Sequence, residues 1–280
     1  MKSGLRCVLL ISATVTIWPT GCENKNAGAK RYEIAAANSY LQCVAQDVCG
    51  NQTDILGLAP PGMCPGHFDI SPSQVNELCN CKILFVFDFQ QNIEKALPRI
   101  KDKGLKTYCI APQPGLCIPD TYLSTVKQVV EILSGETPSQ RNYYVSRLSE
   151  IENRMKSLGR ELPGLIEQSE LKNSNVIVSQ HQEEFAKWLG LNPVSVFSGR
   201  DTMTPTQINH NLQEAEQNKI DFIIANKQDG TEFAEALADH LKTKLVVFSN
   251  FPEKKSSPTL QSGFDALLRD NVNNLLEVSK

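Results

Sequence analysis

Short apolar runs alternate with longer amphipathic stretches along the chain, a pattern that predicts strands separated by helices. In the first half, the predicted strands are 32–37, 53–59, 82–88 and 105–111. The predicted helices there are 40–48 and 72–78. In the second half the order recurs, with strands at 176–179, 194–197 and 221–225 and helices at 182–189 and from Pro205 onward. Strands joined by helices need crossover connections, so we expect mainly parallel sheets.

Two short segments repeat the same helix-start pattern in the two halves. SPSQVN at 71–76 and TPTQIN at 204–209 each place Ser or Thr before Pro, which is typical of a capping residue followed by the first helical residue. Each segment also precedes a strongly apolar predicted strand. The repeat predicts an α/β fold with two related lobes, each a mainly parallel sheet flanked by helices.

The chain between the lobes is predicted to be helical. Residues 121–133 and 141–168 have helical periodicity, and an apolar stripe runs through the second stretch at Ile151, Met155 and Leu158. We expect a long, rigid linking helix there and a terminal helix at 264–278. The expected organisation is a first lobe at 31–120, linking helices at 121–172 and a second lobe at 173–280.

The N-terminal segment predicts export. Lys2 and Arg6 precede an apolar run that is too short to span a bilayer, so residues 1–21 are interpreted as a signal peptide. Small residues precede Cys22 as in a bacterial lipobox, which predicts lipid attachment at Cys22 and a polar tether at 22–30. The alternative is an ordinary signal peptide. Either way, we expect the mature chain on the periplasmic or cell-surface side of the cytoplasmic membrane.

Composition restricts the function further. The chain has 280 residues, of which 41% are hydrophobic and 21% charged, with a formal net charge of -3. These values disfavour a multi-span membrane protein, a disordered chain and a strongly basic nucleic-acid binder. We therefore expect a soluble globular protein, monomeric and without a nucleic-acid partner.

Cysteines are confined to the first part of the chain, at or before position 117. Seven remain once the signal peptide and Cys22 are set aside, so at least one cannot pair with another of the set. Cys49 and Cys79 lie at predicted helix ends and Cys81 at a strand start, which predicts a structural disulfide from Cys49 to Cys79 or Cys81. Cys43 falls inside a helix and is expected to be a buried thiol.

Candidate metal ligands fall where ligands bind in parallel sheets, beyond the carboxyl ends of the strands. His67 precedes the helix at 72–78, and His181 follows the strand at 176–179. Cys64 and Cys117 lie beside the same expected cleft. Imidazole and thiolate suit zinc and softer ions, so these four residues are the predicted metal site. Cys64 and Cys117 could equally form a disulfide with each other or with Cys109.

These segments resemble the zinc- and manganese-binding solute-binding proteins of bacterial ABC transporters. The matching pieces are IAAANSY, APPGMCPGHFDISPSQVNEL, VIVSQHQEEFAKWLGL and KIDFIIANKQDGTEFAEALADHLKTKLVVFS. The resemblance implies two α/β lobes joined by a long rigid helix, a transition-metal ion as cargo, and an ABC permease as partner.

The resemblance also implies specific ligand positions. The family's two lobe histidines fall on His67 and His181. Its other ligands fall on residues of a different type, with Gly115 in place of a further histidine, and Asn226 and Ser249 or Asn250 in place of carboxylates. Loss of hard oxygen ligands, with thiols nearby, favours zinc, leaves copper(I) as an alternative and disfavours manganese.

Three other functions compete with a metal-delivering binding protein. One is a metal chaperone or sensor without a transporter, and another is a degenerate binding protein for a non-metal ligand. The third is a hydrolase with Cys64 as nucleophile and His67 as base. The chain has no G-x-S-x-G, Walker, H-E-x-x-H or G-x-G-x-x-G motif, so we expect that it is not an enzyme.

Overall fold

Two four-stranded parallel sheets, each with flanking helices, make up the fold in a computed structural model. The structure describes residues 32–61, 63, 68–90, 93, 97–101, 104–199, 204–253 and 263–278. The predicted signal peptide, the tether and Cys22 lie outside this part of the chain. Among the described residues, none of the helices combines the length and the apolar character needed to cross a bilayer.

The first sheet has the strand order β2-β1-β3-β4, with all neighbours parallel. Its strands are β1 (Ile34–Ala36), β2 (Ile55–Gly57), β3 (Ile83–Phe87) and β4 (Lys106–Ile110). The helices in this region are α1 (Ser39–Cys49), α2 (Pro72–Leu78) and α3 (Pro98–Lys101).

The second sheet has the corresponding order β6-β5-β7-β8, again parallel throughout. Its strands are β5 (Asn175–Ser179), β6 (Asn192–Phe197), β7 (Phe222–Asn226) and β8 (Lys244–Phe248). The helices here are α6 (Glu183–Trp188), α7 (Pro205–Gln217) and α8 (Glu232–Leu241). The predicted fold class of two parallel α/β sheets is confirmed, although α8 and β8 were not assigned from the periodicity.

The repeated helix starts form the same capping box in both halves. The Gln74 backbone N–H donates to Ser71 Oγ at 3.4 Å, and the Ser71 N–H donates to Gln74 Oε1 at 3.0 Å. Thr204 and Gln207 make the equivalent pair at 3.3 Å and 2.8 Å. Each box satisfies two otherwise unpaired helix N–H groups, which explains why these starts were predictable from the letters alone.

A layer of long helices joins the sheets: α4 (Pro119–Glu136), α5 (Arg141–Glu167) and α9 (Gly263–Glu277). The predicted stripe of Ile151, Met155 and Leu158 is buried in a core that runs continuously from the first sheet through these helices to the second. Because close-packed interiors transmit strain and resist deformation, this layer limits movement of one sheet against the other.

The predicted disulfide from Cys49 is not formed. Cys49 lies in the core that joins the two sheets, whereas Cys79 and Cys81 pack in the core on the other face of the first sheet. Cys49 and Cys81 are free thiols, and burial raises their pKa to about 12 and about 11, respectively. The sheet itself separates the two ends of the expected bridge. Cys43 is buried as expected.

A buried charge cluster fastens four helices together. Arg154 of α5 contacts Asp47 Oδ2 of α1, and its Nε lies 3.1 Å from Asp265 Oδ1 of α9. Tyr122 of α4 donates from its hydroxyl to Asp47 Oδ2 at 2.7 Å. Burial raises the pKa of Asp265 to about 6, an effect that Arg154 opposes and Asp47 reinforces. One guanidinium therefore offsets the desolvation of two carboxylates.

Replacing Arg154 with Met should lower the free energy of unfolding by about 3–5 kcal/mol at pH 7.5, because two buried carboxylates lose their cation. Urea denaturation measures the loss. Burial favours the protonated form of Asp265. The loss of stability in Arg154→Met should therefore become smaller as pH falls from 7.5 to 4.5 through the raised pKa of Asp265. Arg160→Met, on the exposed face of the same helix, should change stability by less than about 0.5 kcal/mol. Equal losses in both variants would contradict the role of the cluster.

Candidate metal-binding cleft

A cleft of about 560 Å³ lies beyond the carboxyl ends of the strands, between the two sheets. Residues that follow β3 and β4 line one side, and residues that follow β5, β7 and β8 line the other. The lining residues are Phe89, Pro112, Gln113, Pro114, Gly115, Leu116, Gln180, His181, Glu184, Asn226, Gln228, Asp229, Asn250 and Phe251. Parallel topology therefore brings the cleft to the edge that the sequence predicted.

His181 lines the cleft directly after β5, paired with a carboxylate. Its Nδ1 lies 2.9 Å and 3.0 Å from the two carboxylate oxygens of Asp229, which sits in the 3-10 turn Lys227–Asp229. Ser179 Oγ also donates to Asp229 Oδ2 at 2.9 Å. The turn after β7 thus folds a carboxylate back against the end of β5.

The pair has a defined protonation pattern. The hydrogen bond to Asp229 raises the pKa of His181. Burial raises the pKa of Asp229, but hydrogen bonds from His181, Asn226 and Ser179 outweigh burial and hold it below its ordinary value. Because Asp229 is ionised and only accepts, Nδ1 carries the hydrogen, and Nε2 of the neutral imidazole carries the lone pair.

The cleft retains carboxylates, which corrects the expectation from the sequence. Asn226 does lie at the end of β7 and lines the cleft, but Asp229 follows three residues later and Glu184 lines it from α6. The resemblance implied a carboxylate at the position of Asn226, at the end of β7. Asp229 was missed because it lies three residues further on, and the turn after β7 brings it to the same edge of the cleft. The sequence does contain a signal for Asp229, namely a carboxylate within one turn of the end of a strand, at the edge of the sheet where ligands bind.

Cys117, which the sequence placed beside the cleft, does not line it in the structure. The thiol is buried, donates to the Ser249 carbonyl at 3.2 Å and lies 3.3 Å from Asn250 Oδ1. Burial raises the pKa of Cys117, and a hydrogen bond from Asn271 opposes this only in part. A protonated thiol that is committed to two oxygens is not a preformed metal donor. Cys117 is also a free thiol, so the alternative of a disulfide is excluded in this structure.

Amide side chains form the floor of the second lobe's side of the cleft. Gln182 Nε2 donates to Asn226 Oδ1 at 2.9 Å and to Asn250 Oδ1 at 3.0 Å. Asn250 Nδ2 donates to the His181 carbonyl at 3.2 Å. Ser249, the other predicted secondary residue, is buried behind this floor and does not line the cleft. The network holds the His181 backbone in place.

The predicted first-lobe ligands His67 and Cys64 lie outside the described residues and stay predictions. Within the described part of the chain, no three His, Cys, Asp or Glu residues are grouped to hold a metal ion. The second lobe contributes His181 and Asp229 to the cleft, so a full coordination sphere needs donors from elsewhere.

Gly115 lies near the position where the resemblance implied a further histidine. Its φ is +80°, and a Cβ atom would lie 2.5 Å from Ile118 Cδ1 and 3.2 Å from Glu184 Cβ. The backbone conformation and the two neighbours together disfavour a side chain. At this point the backbone of Gly115, rather than a side chain, lies close to Glu184 of α6.

Comparison with known proteins identifies the family. The sequence pattern of the family described as zinc-uptake complex component A, periplasmic (ZnuA), matches residues 118–278. The chain belongs to the ZnuA family. Members are metal-binding solute-binding proteins of ABC transporters rather than enzymes, so the resemblance found in the sequence and the expectation of a non-enzyme are confirmed.

Individual relatives of the ZnuA family are distant in sequence. The manganese ABC transporter substrate-binding lipoprotein PsaA of Streptococcus mitis is 19% identical over 249 residues, covering 78% of this chain and 80% of the relative. A crystal structure of ZnuA has a TM-score of 0.68 at 16% identity, covering 86% of this chain and 98% of that one. The solute-binding protein FpvC of Pseudomonas aeruginosa, in complex with Mn²⁺, has a TM-score of 0.72 at 11% identity, covering 89% and 99%. These structures confirm the fold.

Gly115→Ala should destabilise the protein more than Gly104→Ala. Both glycines have positive φ, +80° and +95°, but only Gly115 has neighbours that a Cβ atom would meet. Each substitution should cost about 1 kcal/mol of backbone strain, and Gly115→Ala should lose a further amount of about 1–3 kcal/mol from overpacking. Urea denaturation of the two variants compares them. Equal losses would show that Ile118 and Glu184 move aside freely.

Asp229→Asn should lower the pKa of His181 toward its ordinary value of about 6.5, because the imidazolium loses its carboxylate partner. NMR titration of the His181 ring protons measures the shift. The pair stabilises the fold fully below the unfolded-state pKa of histidine, and this contribution disappears as pH rises through the raised folded-state pKa. Asp239→Asn, exposed on α8, should leave the titration unchanged. An unshifted His181 in Asp229→Asn would refute the pairing.

Proposed function

We propose that the chain captures a zinc ion in this cleft and delivers it to an ABC permease. The observation that carries the proposal is the His181–Asp229 pair, since a carboxylate on Nδ1 orients the ring and increases the basicity of Nε2. The relation between histidine, carboxylate and metal is typical of zinc sites, and membership of the ZnuA family supports the cargo class.

The proposed ligand set combines both lobes. His181 contributes Nε2 from the second lobe, and His67 and Cys64 are the proposed donors from the first. Cys117 is omitted because its thiol is buried and protonated. Imidazoles with one thiolate leave room for a fourth donor in the tetrahedral coordination that zinc prefers.

Manganese is the second candidate cargo. Asp229 and Glu184 both line the cleft, and carboxylate oxygens suit manganese better than they suit copper(I). The curated relative from Streptococcus mitis is named for manganese. Zinc stays the first choice because the best-oriented donor atom is an imidazole nitrogen.

Delivery requires attachment outside the cytoplasmic membrane and a route for release. A lipid on Cys22, followed by the tether at 22–30, would keep a monomeric protein near its permease. Because one packed core runs through α4 and α5, wide hinge opening is disfavoured, and release by local distortion of the cleft on docking fits the architecture better.

His181→Ala should weaken zinc binding to the mature chain by at least about 100-fold, because the second lobe loses its imidazole donor and second-shell changes alone cost about 10- to 100-fold. Isothermal titration at pH 7.5 with reduced thiols measures the affinity, and a parallel Mn²⁺ titration ranks the two metals. His240→Ala, exposed on α8 away from the cleft, is the matched control and should bind like the wild type.

Zinc affinity should also fall as pH decreases through the raised pKa of His181, since a proton competes with the metal for Nε2. Unchanged zinc binding in His181→Ala would overturn the site. Tighter Mn²⁺ than Zn²⁺ binding by the wild type would instead assign the cargo to manganese.

A further inference from the structure

The first-lobe wall of the cleft is mainly apolar where the structure describes it, with Gln113 as its polar member. Phe89 lies on this side with 52% of its surface exposed, and its ring stacks on Phe87 with centroids 5.1 Å apart. Pro112, Pro114 and Leu116 continue the same wall. Half-exposed apolar surface inside a binding cleft is covered when a ligand with an apolar face binds.

The opposite wall is mainly polar, although Phe251 also lines it. His181 and Asp229 face the cleft together with the amides of Asn226, Gln228 and Asn250. Gln228 is itself anchored, since its Oε1 accepts from the Asn250 N–H at 2.9 Å and its Nε2 donates to Ser249 Oγ at 2.9 Å. Apolar surface facing a few convergent polar groups is the composition of a small-molecule site rather than of an ion site alone.

The size of the cleft agrees with this composition. Its volume of about 560 Å³ falls within the range of about 300–1,000 Å³ of small-molecule sites. A metal ion with six waters occupies about 200 Å³, at about 30 Å³ per water. Ion and waters alone would leave the exposed face of the Phe89 ring without an apolar partner among the described residues.

We infer that the cleft takes its metal as a complex with a small organic chelator that carries an aromatic ring. The ring packs against Phe89, and the metal binds Nε2 of His181. The imidazole nitrogen displaces one water from the metal, so the charge and the oxidation state of the complex do not change. With His181 and two chelator donors bound, tetrahedral zinc has room for one of the two proposed first-lobe donors. Among the described residues no ligand group of three occurs. This inference rests on the proposed metal-binding function.

The test compares three probes on the reduced mature protein: Zn²⁺ alone, the 1:1 zinc complex of 2,2′-bipyridine, and the 1:1 zinc complex of ethylenediamine. Bipyridine and ethylenediamine both supply two nitrogen donors, but only bipyridine has aromatic rings. The bipyridine complex should bind about tenfold more tightly than the ethylenediamine complex, a margin typical of one aromatic contact. Native mass spectrometry should show protein, zinc and bipyridine in one complex.

Phe89→Ala should remove the tenfold advantage of the bipyridine complex over the ethylenediamine complex. Leu165→Ala, which removes an exposed apolar side chain of α5 away from the cleft, should keep the advantage. His181→Ala should weaken binding of all three probes. Because Phe89 is half exposed, its replacement is not expected to unfold the chain, and a urea denaturation curve checks this.

Two kinds of failure are distinguishable. Loss of zinc from the bipyridine complex to the protein, with bipyridine left free, would overturn the inference and leave the proposed function intact. Equal affinity of the two complexes, or an unchanged advantage in Phe89→Ala, would also overturn it. Absence of binding by Zn²⁺ alone and by both complexes would refute the proposed function itself.

Discussion

The arrangement of the cleft depends on the buried contact of Arg154 with Asp47 and Asp265. This cluster joins α1, α5 and α9, and beside it Phe264 of α9 stacks on Tyr122 of α4 with centroids 3.8 Å apart. From α9, Asn271 in turn holds the end of β8, with Oδ1 accepting from the Ser249 N–H at 2.9 Å and Nδ2 donating to the Ser249 carbonyl at 2.9 Å. The next residue, Asn250, bonds to the His181 carbonyl. A continuous set of contacts therefore runs from the charge cluster to His181.

The two walls of the cleft differ in chemical character. The second lobe presents an imidazole paired with an ionised carboxylate, and hydrogen-bonded amides, which suit a cation and its directional ligands. The first lobe presents aromatic and proline surface, which has no directional preference and suits an apolar partner. The cleft, at about 560 Å³, therefore has a mainly polar wall facing a mainly apolar one.

Much of the fold followed from local pattern, because its signals lie within a few residues of one another. Both capping boxes, the strands that flank them and the buried stripe of α5 depend on side chains three or four residues apart. His181 was found in the same way, since a residue after a parallel strand belongs to one known edge of the sheet. The disulfide from Cys49 failed because sequence order does not tell which face of the sheet each cysteine occupies.

By itself the sequence determined the α/β class, the repeated lobes, the linking helix and the rim on which His181 lies, since periodicity and capping are local properties of the chain. Only the tertiary structure decided which groups meet there. Asp229 reaches His181 because a turn after β7 folds toward β5, 48 residues away in sequence. Cys117 leaves the cleft because packing against β8 and α9, 132 and 154 residues away, buries its thiol and raises its pKa. Contacts of this range depend on how the sheets and helices pack, and no short segment of the chain encodes them.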